Sequence, residues 1–250
     1  QNDILAGGGS VHSLSVSIGV PFSENIVESF YLEYFMRGIQ QEVSKDGAFL
    51  AAGHSYQTEE PAITITMNGN IQQKSKKNLA VEGNLIYLSK PLGTGYLLAA
   101  YFQNSQLLSA SDFETLLKHL KIGNSLAAKS GYHSGSQLMT DISGFGLGSH
   151  LGDICQSSNL SAQINLQSEI LINENLEILK KFESSGYQNN YVASFPSINI
   201  NEEHSLLKIL FDPQTNGPLL ITIDKEKKSE FEKEFEKNCH FPPLLLGEFI

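Results

Sequence analysis

Residues 140–147, Thr-Asp-Ile-Ser-Gly-Phe-Gly-Leu, restrict the fold more than any other stretch of this chain. One carboxylate, two hydroxyls and two glycines stand directly before an amphipathic run. A strand that enters a helix through such a turn offers backbone N–H groups and a metal-binding acid to a phosphate. Asp141 is therefore the leading metal candidate. Its competing reading, shared with Ser143, is helix capping, which both residue types do well. Three further stretches have the same punctuated character: Gly53-His54-Ser55, Lys90-Pro91-Leu92-Gly93-Thr94-Gly95 and Phe211-Asp212-Pro213-Gln214-Thr215-Asn216-Gly217. Gly53, His54 and Ser55 are candidates for nucleotide contact, because small residues admit a phosphate to the backbone while a hydroxyl or imidazole donates to it. The Lys90–Gly95 turn reads as fold-shaping. Asp212-Pro213 starts turns for physical reasons, so Asp212 and Gln214 read as a structural loop.

The hydrophobic pattern surrounds these corners with alternating elements. Leu14, Val16, Ile18 and Val20 alternate with small residues in a half-buried strand whose exposed edge needs cover. Apolar residues at helical spacing predict a helix over 24–45, with Gly47 as its stop. Ala48–Ala52 then reads as a short buried strand ending at Gly53-His54-Ser55, and Ile63, Ile65 and Met67 as another strand. That order is a two-layer α+β unit. Residues 71–81 are polar and lysine-rich, which places a domain boundary there and divides the chain into 1–78 and 79–250. Beyond it the pattern predicts a strand at 85–89, a helix through Ala99 and Ala100, and a helix opened by a capping box at Ser111–Glu114. A helix follows Gly146, a strand covers 162–166, and a helix spans 174–182. Strands at 219–223 and 244–250 flank a charged helix capped by Asp224.

The net charge of −10 and a single arginine, Arg37, argue against nucleic acid, whose backbone is bound by clustered Lys and Arg. The lysine clusters at 74–77 and 225–228 read as solvated surface. No run approaches the roughly 20 apolar residues that span a bilayer, the start has no signal-peptide layout, and cytoplasm is the default location. Cys155 and Cys239 have neither zinc nor disulfide spacing and read as idle thiols. The remaining histidines show no metal-ligand pairing, and neither a Walker loop nor a Gly-x-Ser-x-Gly elbow occurs.

The four punctuated stretches, in this order and spacing, resemble selenophosphate synthetase (selenide, water dikinase), a member of the aminoimidazole ribonucleotide synthetase-like superfamily. The resemblance runs from Asn2-Asp3-Ile4 to Gly247-Glu248. It implies a two-lobed α+β fold with a partial N-terminal lobe and a complete C-terminal lobe, and a homodimer. It also implies an ATP site that includes Gly53, His54 and Ser55, and magnesium at Asp141. The family's reaction converts ATP, selenide and water to selenophosphate, AMP and phosphate. The family's leading segment, with its reactive Cys or selenocysteine, its Lys and further aspartates, precedes the pattern found here. The expectation is therefore that these residues alone do not turn over, and no catalytic residue is assigned. Asn216 and Pro218 depart from the family's Asp-Pro-Gln-Thr-Ser-Gly-Gly. The Pro-Gly-Gly-Thr-x-Arg-Asn stretch has no counterpart in 181–196, which lacks an arginine. A non-catalytic nucleotide-binding or regulatory module, or a scaffold that only dimerises, are the alternatives.

Overall fold

The computed structural model describes residues 1–23, 25–72, 75, 80–103, 106–194 and 204–250. They fall into two compact units, one of Gln1 and Asp3–Lys74, the other of Asn2 and Ser75–Ile250. Glu24, the expected boundary pair 78 and 79, and residues 195 and 196 lie outside the described set, as do the lysines at 74, 76 and 77.

In the first unit a short helix α1 (Asn2–Ala6) leads into β1 (Gly9–Pro21), followed by α2 (Asn25–Lys45), β2 (Phe49–Thr58) and β3 (Ala62–Ile71). The sheet order is β2-β1-β3, with β1 parallel to β2 and antiparallel to β3. The α2 crossover is what permits the parallel pair. The alternation seen in the sequence decides which face of β1 is covered: Leu14, Val16 and Ile18 are buried with Ile39 of α2. Gly47 ends the helix region at φ 68, a conformation that glycine adopts at little cost.

Two expectations for this unit are corrected. The strand at Leu14–Val20 is not an edge but the centre of its sheet; the edges are β2 and β3. Gly53-His54-Ser55 does not sit at the end of a short buried strand. It lies in the middle of a ten-residue strand that is exposed along most of its length. Short range pattern cannot set the length of such a strand, because neither face is buried deeply enough to impose alternation.

The second unit contains β4 (Leu85–Leu88), α3 (Thr94–Phe102), α4 (Ala110–Leu120), α5 (Ser125–His133), β5 (Met139–Asp141), α6 (Gly146–Ser158), β6 (Ala162–Ile164), α7 (Leu176–Lys181), α8 (Tyr187–Ser194), β7 (Leu219–Ile223), α9 (Lys228–Asn238) and β8 (Leu244–Phe249). Its sheet runs β5-β7-β4-β8-β6, and every neighbouring pair is antiparallel. β4 and β7 are buried throughout, so both faces of the sheet are covered. Ile86 and Leu88 enter the main core with Tyr96 and Leu97 of α3, Leu147 of α6 and Ile178 of α7. Tyr87 points the other way and meets Phe231 of α9, ring centroids 4.9 Å apart.

The capping box of α4 is Ser109 with Asp112, two residues earlier than expected, since Ser109 accepts from the Asp112 amide and Asp112 returns to the Ser109 amide. Asp224 caps as expected, accepting from the Glu226 amide in the 3-10 turn before α9. Among the described residues no helix is long and apolar enough to cross a membrane.

Candidate functional site

In the second unit, the Lys90–Gly95, Thr140–Gly146 and Asp212–Gly217 stretches meet around the start of α3. The first amides of a helix have no partner within it, and here the Asp212–Gly217 loop supplies the acceptors. Gln214 Oε1 accepts from the Gly93 and Thr94 amides at 3.0 and 3.3 Å, and Asp212 Oδ2 accepts from the Gly95 amide at 3.1 Å. Thr94 Oγ1 accepts in turn from the Thr215 amide at 2.8 Å. The approach is close enough to require glycine: a Cβ on Gly95 would lie 2.3 Å from the Pro213 carbonyl oxygen and 2.5 Å from Asp212 Oδ1. This helix end is thus filled by the protein's own acceptors, and the fold-shaping reading of the Lys90–Gly95 turn is what the geometry supports.

The same loop fastens the Asp141 corner. The Gln214 amide donates to the Ser143 carbonyl at 3.0 Å, and the Ile142 amide to the Pro218 carbonyl at 2.9 Å. A Cβ on Gly217 would sit 2.1 Å from the Ile142 carbonyl oxygen. Asn190 of α8 is buried and donates to the Gly144 and Phe211 carbonyls at 2.9 and 3.1 Å. Asn124 joins the arrangement by donating to the Gly217 carbonyl at 2.9 Å while accepting from Ser89 Oγ at 2.8 Å. Asn2 accepts from Asn124 Nδ2 at 3.1 Å.

Asp141 closes β5 and is half-buried, opposite Leu219 in the ladder. The N-cap of α6 is Phe145, with no side-chain capping bond, so neither Asp141 nor Ser143 caps that helix. No group of three or more His, Cys, Asp or Glu poised for a metal occurs among the described residues. The Asp141 carboxylate at this turn still suits magnesium, which takes one or two carboxylates and draws its other ligands from phosphates and water. Gly53, His54 and Ser55 belong to the first unit, on β2 opposite Val16, Ser17 and Ile18. The His54 ring stacks near Tyr56 at 6.4 Å. A Cβ on Gly53 would make ordinary contact with Val16 at 3.4 Å, so the strand itself does not demand glycine there.

Lys90 is not placed to reach a ligand. It is 1% exposed, its Nζ donates to the Ile122 carbonyl at 2.8 Å, and burial pushes its ammonium down to about 7. Burial pushes Asp212 up to about 7, against the donors Gln214, Gly95 and Tyr96 that favour its charged form.

A cavity of about 510 Å³ opens beside this junction. Gly95, Gly144, Pro213 and Thr215 line it, so all three motif stretches reach its wall. The rest of the wall comes from α3 with its C-cap Gln103 and from Glu183–Gly186, which belongs to none of the four punctuated stretches. Its available signal was the Ser184-Ser185-Gly186 turn, followed four residues on by Asn190.

Residues 81–241 match the AIR synthase related protein, C-terminal domain, and the second unit is of that class. A selenide, water dikinase of Shewanella sp. strain MR-7 is 31% identical to this chain, across 98% of it and 69% of the relative. One from Caldanaerobacter subterraneus is 28% identical across 86% of this chain and 63% of its own length. The chain belongs to the selenide, water dikinase family of AIR synthase related proteins. Among solved structures, a thiamine-monophosphate kinase from Stenotrophomonas maltophilia superposes with a TM-score of 0.74 at 17% identity, over 99% of this chain and 72% of that one. The hydrogenase maturation protein HypE in complex with ATP gives 0.69 at 15%, over 99% and 68%. These likenesses bear out the expected α+β, AIR synthetase-like fold.

Proposed function

We propose that this chain supplies the larger part of an ATP-using phosphotransferase of the selenide, water dikinase kind, acting in the cytoplasm as a homodimer on ATP and selenide. The observation that carries this reading is the mutual fastening of the Asp141 corner, the start of α3 and the Asp212–Gly217 loop. Three motifs distant in sequence hold one another in a fixed arrangement, which is the pre-organisation that phosphoryl transfer requires. Asp141 holds magnesium, and Gly53, His54 and Ser55 line the nucleotide. Bound magnesium would neutralise charge on the phosphoryl oxygens. The protein's own task is to hold the Asp141 corner in place through the Ile142 and Gly144 backbone bonds.

Asp141→Asn tests the assignment. Asparagine keeps the size and one oxygen but deletes the charge that attracts the ion. Titration calorimetry should show magnesium-dependent ATP affinity falling at least tenfold while the melting temperature stays within about 1 °C of the parent. Unchanged affinity would remove Asp141 from the metal site. Residues 1–250 by themselves carry nothing that resembles the family's Cys and Lys segment. Phosphorus NMR with ATP, magnesium and selenide should therefore show no selenophosphate from them. Nucleotide binding without that product is also what a non-catalytic module would give. The lack, among the described residues, of a group of three or more His, Cys, Asp or Glu poised for a metal favours keeping that second reading. Turnover on joining a Cys- and Lys-bearing segment of the family's kind to residues 1–250 separates the two.

A further inference from the structure

Strand β5, which ends in Asp141, is the outermost strand of its sheet among the described residues and pairs with β7. In an antiparallel pair, successive residues turn their N–H and C=O groups alternately toward the partner strand and away from it. The Leu138 carbonyl accepts from the Thr222 amide at 3.2 Å and the Ile142 amide donates to the Pro218 carbonyl at 2.9 Å, with Thr140 opposite Leu220 between them. Leu138, Thr140 and Ile142 are therefore the residues that face β7, and the main-chain groups of Met139 and Asp141 turn to the outer edge. Met139 is buried, so its amide and carbonyl need partners from the protein.

Ser75 supplies both. Its Oγ accepts from the Met139 amide at 3.0 Å and donates to the Met139 carbonyl at 3.2 Å. One hydroxyl thus makes the two bonds that a residue of a flanking strand would make. Tyr132 of α5 hydrogen-bonds the same side chain, which ties the arrangement to the helix whose Gly131 lies against Met139. Ser75 stands in a lysine-rich stretch whose composition reads as solvated surface, yet it is half-buried.

We propose that Ser75 is a positioning residue for Asp141. Strand β5 is three residues long, Met139–Asp141, and the carboxylate stands on its last residue. β7 holds one edge of this strand and Ser75 holds the other, so the backbone that carries Asp141 is fixed from both sides. Magnesium demands near-ideal octahedral geometry, and a displaced carboxylate serves it poorly. Without the Ser75 hydroxyl, two main-chain groups of Met139 lose their partners and the strand must shift to find others. The role rests on the reading of Asp141 as the magnesium carboxylate, and adds to it a residue outside the four punctuated stretches.

Calorimetric titration of ATP into the 250-residue chain, with magnesium and with EDTA in its place, tests it. Ser75→Ala should weaken ATP at least fivefold in magnesium and leave the affinity in EDTA within twofold of the parent. Ser75→Thr keeps the hydroxyl and should restore the affinity in magnesium to within twofold. In the Asp141→Asn background, Ser75→Ala should bring no further loss, because a residue that acts through a carboxylate has nothing to act on once that carboxylate is gone. The Met139 amide should exchange its hydrogen at least tenfold faster in Ser75→Ala than in the parent. General damage to the fold would lower the affinity in EDTA as well and would add to the effect of Asp141→Asn, so these arms separate positioning from destabilisation. Asp141→Asn at parent affinity, or a parent whose ATP affinity is the same with and without magnesium, would end the magnesium reading and this role with it. Loss of affinity in Asp141→Asn with Ser75→Ala binding as the parent does, or additive losses in the double variant, would overturn the positioning role alone.

Discussion

Lys90 and Asp212 are two ionisable residues that the fold prefers to hold without charge. The Lys90 amine is lowered from 10.5 to about 7 by burial, and the neighbouring His119 is lowered to about 3 by its own burial and then by the Lys90 charge. Between about pH 7 and 10.5 the unfolded chain binds the extra proton, so Lys90 makes the fold more stable as pH rises through that window. Asp212 runs the opposite way. Raised from 3.8 to about 7, it binds its proton in the folded state first, and its contribution declines as pH rises from 3.8 to about 7. Each slope is at most about 1.4 kcal/mol per pH unit. Melting curves of Lys90→Met and Asp212→Asn against the parent should therefore diverge on opposite sides of neutrality. If Lys90→Met tracks the parent from pH 7 to 10, the buried amine does not titrate as described.

At the scale of elements, the places where backbone meets backbone decide which glycines are replaceable. Gly95→Ala would drive a methyl into the Pro213 carbonyl and the Asp212 carboxylate. Overpacking of this kind, with the start of α3 displaced from its acceptors, should cost about 2–4 kcal/mol. Gly53→Ala meets only ordinary contact with Val16 and should stay within about 1 kcal/mol of the parent. Urea unfolding of the two variants checks both, and equal midpoints would refute the close approach at α3. The same elements show where the sequence was readable. β1 announced itself by strict alternation, α2 by helical spacing, and the motif corners by their glycines. Helix α5 did not, because its buried face is Ala127, Ala128, Ser130 and Gly131, small residues with almost no hydrophobic signal. Gly131 lets it settle against Met139, whose methyl a Cβ would approach to 2.7 Å. Helix α8 buries Tyr187, Asn190 and Ser194, two of them polar and made acceptable only by partners far away in sequence. Neither the partnering of Asn190 nor the filling of the α3 amides by Asp212 and Gln214 could be read before the loops were placed together.

At the scale of the molecule, β2 and β3 are the outer strands of the first unit's sheet and pair with no further strand among the described residues, and strand edges of this length invite pairing with another chain. Its helix α2 adds an exposed stripe of Ile26, Phe30 and Tyr34 on the side away from Ile39. Sedimentation velocity at micromolar concentration should show a dimer, and Phe30→Glu or a proline placed at Ser55 should weaken it. A monomer at that concentration would sink the expectation. Within the second unit, the loop from Asp212 to Thr215 has a consequence for how such a protein changes over generations. Asp212 and Gln214 are committed to α3, whereas Pro213 and Thr215 face the cavity. One tetrapeptide thus carries two inheritances in alternate positions. The Thr215 side chain can therefore change without removing these bonds, while a change at 212 or 214 strips acceptors from main-chain amides that no substitution at residues 93–95 can re-supply.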